Sequence, residues 1–274
     1  MSQGHYRRLF DLDGRVALVT GATGILGRHF TAALADCGAA VAVVDLDQAA
    51  SDDLASELTQ TYGVRAIGVA TDIANERAVL DMAEEVESKL GPVDILHNNA
   101  ATKGSNLNAF FEPLDTFSLD TWREIMAVNL DGMFLVARTV GERMAQRRRG
   151  SIIQTASIYG AMGPDQRIYE GSSYMGRPIN TPAVYSASKS GVLGLTRYLA
   201  TYWADKGVRV NALTPGGVES GQNDTFRQRY SARVPMGRMA DPREMASTLV
   251  FLASDASSYI TGQNLMVDGG LSAW

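Results

Sequence analysis

The chain has 274 residues, which is enough to bury a large core in one large α/β domain or in two small ones. Its composition, with 45% hydrophobic and 20% charged residues, is that of an ordinary globular protein. A net charge of -5 without a large basic tract argues against nucleic-acid binding, and no apolar run reaches the roughly 18 residues that a membrane span needs.

The composition also disfavours metal binding and secretion. Cys37 is the only cysteine, so no disulfide within the chain and no cysteine-based metal site can form. His5, His29 and His97 lack the spacing of metal ligands. The first residues contain no apolar segment of the kind found in signal peptides. We therefore expect a cytoplasmic protein without a structural metal.

The first strand–helix–strand unit has the pattern of a dinucleotide site. After a leader of residues 1–13, residues 15–20 predict a buried parallel strand, and a glycine-rich turn and a helix to about Cys37 follow. Residues 40–45 predict a second buried strand that ends in a carboxylate. Glycines let the backbone approach a pyrophosphate, and the helix N-terminus presents unpaired N–H groups to it. The residues predicted to contact the cofactor in this unit are Gly21, Thr23, Gly24, Ile25, Leu26, Gly27, Asp45 and Leu46.

Asp45 indicates which dinucleotide is bound. It lies 18 residues after Gly27, close to the ~20 residues expected for a dinucleotide fingerprint. A carboxylate at this place accepts hydrogen bonds from both ribose hydroxyls of the adenosine and repels a 2′-phosphate. No Arg or Lys lies within the glycine-rich turn or just after Asp45. The sequence therefore predicts NAD, with NADP less favoured.

Strand and helix patterns alternate through the rest of the chain. The further predicted elements are helix 53–62, strand 65–70, a helix capped by Asn75 that runs to about Lys89, strand 93–97, helix 120–146, strand 151–156, helix 183–206, strand 208–213, a helix from Asp241 to Ala253, and strand 265–267. Such alternation predicts an α/β fold, a single doubly wound parallel sheet of about seven strands, Rossmann-like, with helices on both faces. We expect one domain over residues 1–274, with an active-site insert at 158–182 and a substrate lid at 217–240.

A tyrosine and a lysine lie one turn apart on a predicted helix. Tyr185 and Lys189 are four residues apart, so their side chains share one face. A neighbouring ammonium lowers the pKa of a phenol, and a phenol titrating closer to neutrality can exchange a proton with a hydroxyl or carbonyl group. By itself the pair is more often a solvated helix face. Asn98, Asn99 and Ser157 follow predicted strands, at the sheet edge where open α/β folds bind ligands.

These motifs together resemble the short-chain dehydrogenase/reductase family over about residues 9–270. The matching pieces, which occur in family order, are Thr20, Gly21, Gly27, Asp72, Asn98, Asn99, Ala100, Asn129, Ser157, Tyr185, Lys189, Asn211, Pro215, Gly216 and the segments 260–263 and 267–270.

The resemblance implies roles for individual residues. Tyr185 would be the general acid/base, and Lys189 would lower its pKa and bind the nicotinamide ribose. Ser157 would hydrogen-bond the reacting oxygen, and Asn129 would hold a water in a proton relay through Lys189. The other residues that the resemblance implies at the cofactor are Asp72, Ile73, Asn99, Ala100, Ala101, Pro215, Gly216 and Val218.

Two features depart from the family pattern. The family has a glycine where this chain has Ile25, and here the glycine comes one residue earlier, a spacing similar to that of sugar-nucleotide epimerases. Ser157 and Tyr185 are 28 residues apart, roughly twice the usual separation. The extra residues predict an insert at the mouth of the site, or else a lid or subunit contact without substrate chemistry. The residues predicted to contact substrate are Ser157, Arg167, Tyr169, Arg177 and Gly217. Of these, Arg167 or Arg177 would pair with a carboxylate or phosphate of the substrate.

The sequence thus predicts an NAD-dependent oxidoreductase that interconverts a secondary alcohol and a ketone. Sugar-acting relatives with a similar insert favour a sugar, a polyol or another hydroxylated small molecule as substrate. One alternative is a sugar or nucleotide-sugar epimerase or dehydratase with tightly held NAD, and a second is a non-catalytic dinucleotide-binding protein. The resemblance also implies a homo-oligomer, a tetramer or dimer, with helices 120–146 and 183–206 as its contact surface. No nucleic-acid or membrane partner is expected.

Overall fold

A parallel sheet forms the centre of the molecule. The structure is a computed structural model that describes residues 4–174 and 176–274. Within these residues, seven strands pair in parallel to form one sheet. The strands are β1 (Val16–Thr20), β2 (Ala40–Asp45), β3 (Ala66–Ala70), β4 (Ile95–Asn98), β5 (Gly150–Thr155), β6 (Val208–Pro215) and β7 (Asn264–Val267). The predicted strands are confirmed, with shifts of one or two residues at their ends.

The strand order reverses beside β1. The sheet runs β3-β2-β1-β4-β5-β6-β7, so the chain leaves β1 toward one edge and returns through β4 toward the other. In doubly wound sheets, ligands bind in the crevice that this reversal opens at the carboxyl ends of the strands. The predicted α/β fold with a doubly wound, Rossmann-like parallel sheet is confirmed.

Helices cover both faces of the sheet. The helices, named in chain order, are α1 (Ile25–Asp36), α2 (Gln48–Tyr62), α3 (Glu76–Leu90), α4 (Leu107–Phe110), α5 (Leu119–Met126), α6 (Met133–Arg147), α7 (Ile158–Ala161), α8 (Ala183–Trp203), α9 (Asp224–Ser231) and α10 (Pro242–Ala253). Helices α3, α6 and α8 pack on one face, and α1, α2 and α10 pack on the other. Side chains of successive β1 residues point to opposite faces of the sheet. Leu18 packs in the core under α3, α6 and α8, and Ala17 and Val19 pack in the core under α1, α2 and α10.

Helix ends follow the capping chemistry of the sequence. The Asn75 side chain accepts a hydrogen bond from the Ala78 N–H and caps α3, as predicted. Asp241 and Glu244 form a capping box at the start of α10, whose first residue is a proline. The long helix predicted over 120–146 is instead α5 and α6 joined by a π-helical turn, Ala127–Gly132.

Segments predicted to be irregular contain more structure than expected. In the leader, Arg7–Phe10 form a 3-10 turn and Leu12 is fully buried; the leader's residues 1–3 lie outside the described residues. The insert over 158–182 is not a plain loop, since it holds α7, a 3-10 turn (Gln166–Tyr169) and a small antiparallel hairpin. The predicted lid contains α9. Among the described helices, none has the length and apolar character needed to cross a bilayer.

Candidate active site

A cavity of about 410 Å³ opens at the strand-order reversal, beside the ends of β1, β2 and β4. Its wall comprises Gly21, Thr23, Gly24, Ile25, Leu26, Gly27, Val44, Asp45, Leu46, Thr71, Asp72, Ile73, Asn99, Ala100, Ala101, Thr102 and Val128. The structure thus brings together all the residues predicted to contact the cofactor before β5. Their contact with a cofactor stays a prediction.

The glycine-rich turn is shaped for close backbone approach. Gly21 has a φ of 64°, a region that favours glycine. A Cβ atom added at Gly27 would lie 2.2 Å from the Gly21 carbonyl oxygen, so the start of α1 can pack on the turn only without a side chain there. Gly24 is the N-cap residue of α1, and Ile25 begins the helix with 60% of its surface exposed. The shifted glycine therefore still delivers a helix N-terminus to the cavity.

The Asp45 carboxylate closes the turn from the end of β2. Its Oδ2 accepts hydrogen bonds from the Thr23 N–H at 2.9 Å and from the Thr23 hydroxyl at 2.6 Å. Its Oδ1 accepts one from the Leu46 N–H at 2.9 Å, which leaves that oxygen further acceptor capacity. A fixed negative charge on this wall suits neutral ribose hydroxyls and opposes a phosphate.

Asn99 fastens the turn to the neighbouring strands. Its Nδ2 donates to the carbonyls of Thr20 and Gly21 at 3.1 and 3.2 Å. The Thr20 hydroxyl oxygen in turn accepts the N–H groups of Asn99 and Ala100. Asn99 therefore acts on the cavity at least in part through the position of the turn.

Thr71 is a candidate cofactor contact that the sequence reasoning missed. Its side chain lies on the cavity wall, is 5% exposed, and its Oγ1 has no hydrogen-bond partner within residues 4–174 and 176–274. Buried hydroxyl groups are normally satisfied, so this oxygen is suited to a bound polar group. Asp72 and Ile73 follow it on the same wall. The glycine cradle and this free hydroxyl fit a dinucleotide.

A second cavity, of about 590 Å³, adjoins the first. Ile25 lies on the walls of both. The second wall includes Ser157, Tyr159 and Tyr185 together with residues of the insert and of the predicted lid. Of the residues predicted to contact substrate, those on this wall are Ser157, Tyr169 and Gly217.

Ser157 and Tyr185 meet at this second cavity. Ser157 follows β5, and its hydroxyl oxygen accepts the Tyr159 N–H at 3.2 Å, which caps α7. Burial raises the pKa of the Tyr185 phenol, and a hydrogen bond from Ser157 offsets this only in part. The direction of this pKa shift is opposite to the one expected from a neighbouring lysine, because burial is its largest cause and only the Ser157 hydrogen bond opposes it.

Lys189 lies four residues after Tyr185 on α8 and is buried. Its Nζ donates a hydrogen bond to the Thr155 carbonyl oxygen at 2.8 Å, and only 2% of the residue is exposed. Burial lowers the pKa of Lys189 to about 8. Gly160 packs against the Lys189 backbone, where a Cβ atom would lie 2.6 Å from the lysine carbonyl carbon. The lysine is thus fixed at the end of β5.

Asn129 lies in the π-helical turn and is fully buried. Its side-chain oxygen accepts the Thr102 N–H at 2.7 Å, and its Nδ2 donates to the Thr102 carbonyl at 3.1 Å. The amide therefore holds the loop after β4 from both sides. π-Helical turns are frequent at functional sites. The water-holding role implied by the family resemblance stays a prediction.

The end of β6 supplies backbone to the second cavity. Gly216 and Gly217 lie on its wall, and the Gly217 N–H donates to the Tyr230 hydroxyl. A Cβ atom at Gly217 would lie 2.5 Å from the Tyr230 ring. Pro215 ends β6, and Val218 forms an isolated bridge with Ala240; neither is on the wall of the two cavities.

The two arginines predicted to contact substrate are placed elsewhere. Arg167 forms a bidentate pair with Asp165, with 2.8 Å contacts, and its side chain is 82% exposed. Arg177 is exposed in the small hairpin of the insert. Neither lies on the wall of the second cavity, so the structure does not support the predicted arginine–substrate pairing. Tyr169 does lie on that wall, and its hydroxyl is 2.5 Å from the Thr181 hydroxyl.

Lys103, which the sequence reasoning missed, is on the wall of the second cavity. It lies in the loop after β4, next to the residue that Asn129 holds. Its position four residues after Asn99 in a ligand-edge loop was the available signal. Among the described residues, no cluster of His, Cys, Asp and Glu could hold a metal ion.

Comparison with known proteins agrees with the resemblance to the short-chain dehydrogenase/reductase family over nearly the whole chain. The family profile described as Enoyl-(Acyl carrier protein) reductase matches residues 21–272. Galactitol 2-dehydrogenase (L-tagatose-forming) of Cereibacter sphaeroides is 39% identical over 98% of this chain and 99% of its own. D-threitol dehydrogenase of Mycolicibacterium smegmatis is 37% identical over 95% of this chain and 94% of its own.

A solved structure shows the same architecture. The gluconate 5-dehydrogenase from Burkholderia cenocepacia, in complex with NADP and tartrate, superposes with a TM-score of 0.85 at 33% identity, covering 98% of this chain and 100% of its own. The chain belongs to the short-chain dehydrogenase/reductase family and is an oxidoreductase that acts on CH–OH groups.

Proposed function

We propose that this chain is an NAD-dependent dehydrogenase of sugars, polyols or related hydroxylated compounds, oxidising a secondary alcohol to a ketone and catalysing the reverse. The observation that carries the proposal is the junction of two cavities at Ile25, one with a dinucleotide cradle and one with Tyr185 and Ser157. The relatives named for galactitol, threitol and gluconate support a polyhydroxylated substrate.

Each residue of the site has a chemical task in this proposal. A nicotinamide dinucleotide in the first cavity supplies the hydride acceptor. Tyr185 takes the hydroxyl proton of the alcohol and returns it to the carbonyl oxygen in reduction. Ser157 hydrogen-bonds that oxygen and orients it. Lys189 places a buried positive charge behind the phenol, and Asn129 holds the loop that borders both cavities.

Asp45 supports NAD over NADP. Its carboxylate is fixed by Thr23 and Leu46, so it cannot move aside to admit a 2′-phosphate without losing three hydrogen bonds. The complex of the Burkholderia relative with NADP shows that this fold also binds the phosphorylated dinucleotide. The preference for NAD over NADP is therefore to be measured directly, by comparing turnover with the two cofactors.

The insert and the segment 217–240 form the outer wall of the substrate cavity in this proposal. The Gln166 side chain bonds the Thr181 backbone twice, at 2.8 and 3.1 Å, and so ties the insert to the start of α8. Arg229 bonds Glu170 at 3.0 Å and joins α9 to the insert. We propose that residues 217–240 act as the substrate lid over this wall. We also propose that the enzyme is a cytoplasmic homo-oligomer, supported by exposed aromatic side chains on α6 and α8.

The test is a spectrophotometric screen for NADH formation with sugars, polyols and hydroxy acids, run in parallel with NADP. We expect turnover of at least one such compound with a preference for NAD. Replacement of the general acid/base, Tyr185→Phe, should lower kcat by about 100- to 10,000-fold with NAD binding retained. Tyr202→Phe, a change at an exposed position of the same helix, is the matched control and should keep wild-type turnover.

Four results would contradict the proposal. Near-normal turnover by the Tyr185→Phe variant would remove the acid/base role. A strong preference for NADP would overturn the role of Asp45. An isomerised sugar without net NADH would indicate an epimerase, and dinucleotide binding without turnover of any compound in the panel would indicate a binding protein.

A further inference from the structure

A lysine side chain lies on the wall of the substrate cavity. Among residues 4–174 and 176–274, Lys103 is the only charged side chain that lines it. The remaining wall consists of aromatic rings, hydroxyl and amide groups, aliphatic side chains and glycine backbone. Tyr185 and Ser157 lie on the same wall, so Lys103 and the proposed reacting groups share one cavity.

The backbone that carries Lys103 is held on both sides. Before it, the fully buried Asn129 side chain binds the N–H and the carbonyl of Thr102. After it, the Gly104 N–H donates to the Thr102 hydroxyl at 2.9 Å, and the Ser105 N–H donates to a Glu124 carboxylate oxygen at 2.7 Å. The backbone at Lys103 therefore has a fixed place beside the cavity.

The charge of Lys103 is not matched by an acid. It forms no ion pair within the described residues, and its contact is with the face of the Tyr174 ring, 5.7 Å from the ring centre. A carboxylate attracts an ammonium more strongly than an exposed ring does, because it carries a full charge and accepts charge-assisted hydrogen bonds. A ligand carboxylate in the cavity would therefore find an ammonium free to bind it.

We propose that Lys103 selects substrates that carry a carboxylate in addition to the reacting secondary hydroxyl, so that the enzyme prefers aldonate-type hydroxy acids over the corresponding neutral alditols. This rests on the dehydrogenase function proposed above. A carboxylate fits better than a phosphate ester, because one ammonium balances one negative charge, and the arginines of the insert that could balance a second do not line the cavity.

The test compares substrates that differ in one terminal group. Wild type and variants are assayed with galactonate against galactitol and with threonate against threitol, and the ratio of kcat/KM within each pair is measured. Wild type should favour the aldonate. Lys103→Met should lower the ratio about tenfold, chiefly through a higher KM for the aldonate, and Lys103→Arg should largely restore it. Added salt should lower the wild-type ratio, since the side chain is exposed.

Lys206 offers a matched control. Its Nζ lies 5.1 Å from the centre of the Tyr202 ring, an arrangement like that of Lys103, but it is not on the cavity wall. Lys206→Met should leave both substrate ratios unchanged. The proposal is overturned if Lys103→Met leaves the ratios unchanged, if it shifts both members of a pair equally, or if wild type oxidises only the alditols. Alditol oxidation that is lost in Tyr185→Phe would in those cases still uphold the dehydrogenase function. No turnover of either pair would overturn the proposed carboxylate selection, whereas the dehydrogenase function would be overturned only by no turnover across the whole panel of sugars, polyols and hydroxy acids.

Discussion

A buried histidine begins a hydrogen-bonded chain that ends at the glycine-rich turn. Since Asn99 Nδ2 donates to the carbonyls of Thr20 and Gly21, the Asn99 oxygen must accept. The Thr155 hydroxyl donates to that oxygen at 3.2 Å, so its own oxygen can only accept from His97 Nε2, 2.8 Å away. His97 therefore carries a proton on Nε2, and its Nδ1 has no hydrogen-bond partner within the described residues. The His97 ring also packs against the Phe30 ring in an edge-to-face arrangement, with ring centres 4.4 Å apart.

This histidine makes stability depend on pH. Burial lowers the pKa of His97 to about 3, from about 6.5 in an unfolded chain. Between these values the unfolded chain binds a proton that the folded protein does not, so its contribution to stability is lost as pH falls, by up to ~1.4 kcal/mol per pH unit. His97→Gln keeps a donor for Thr155 but does not titrate. We expect its unfolding free energy, measured in urea from pH 7 to pH 4.5, to fall less steeply than that of wild type.

The control for this experiment is another histidine. His5 is exposed, and His5→Gln should keep the wild-type slope. Equal slopes for wild type and His97→Gln would mean that the imidazole is not held neutral by burial.

At the scale of elements, the contact between β1, the glycine-rich turn and α1 depends on one missing side chain. A Cβ atom at Gly27 would lie 2.2 Å from the Gly21 oxygen and 2.6 Å from the Ala22 oxygen, both of them backbone atoms. At Gly24 the nearest atom would be 3.4 Å away, an ordinary contact. The turn therefore has room for a Cβ atom at Gly24 but not at Gly27.

Gly27→Ala should push α1 away from the turn. We expect a loss of about 1–3 kcal/mol in unfolding free energy, the range for overpacking, together with weaker NAD binding measured by calorimetry. Gly24→Ala should cost about 0.5–1 kcal/mol, because glycine is the better N-cap residue but the added Cβ atom meets no clash. A Gly27→Ala variant as stable as Gly24→Ala would show that the turn relaxes freely.

The sequence predicted this βα unit well because local patterns determine it. The buried runs 16–20 and 40–45, the glycines between them and Asp45 are close in sequence, and the structure places all of them as expected. The π-helical turn at Asn129 was not predictable, since its flanking residues continue an ordinary helical pattern. The Asn129 amide was singled out through the family resemblance, and not through any sequence signal of the π-helical turn.

At the scale of the whole molecule, the sheet was predictable and the substrate wall was not. Alternating apolar strands and amphipathic helices determine the doubly wound sheet with two covered faces. The insert meets the lid through contacts such as Arg233 with Asp165, at 3.3 Å, which join residues far apart in sequence. Arg167 pairs with a protein carboxylate, that of Asp165 two residues before it, so its charge is balanced without a substrate. Substrate contact by Arg167 stays a prediction.

The outer surface of α8 provides the last prediction. Tyr198 and Tyr202 are 62% and 51% exposed, and their rings stack with centres 5.7 Å apart. Phe134 on α6 is 41% exposed.

If these rings are buried between copies of the chain, a carboxylate among them would be desolvated at high cost. Tyr198→Glu should therefore reduce the mass measured by light scattering to that of a smaller assembly, with the far-UV circular dichroism of wild type. Tyr62→Glu, on the distant helix α2, should leave the mass unchanged. An unchanged mass for Tyr198→Glu would place the contact between subunits on another face.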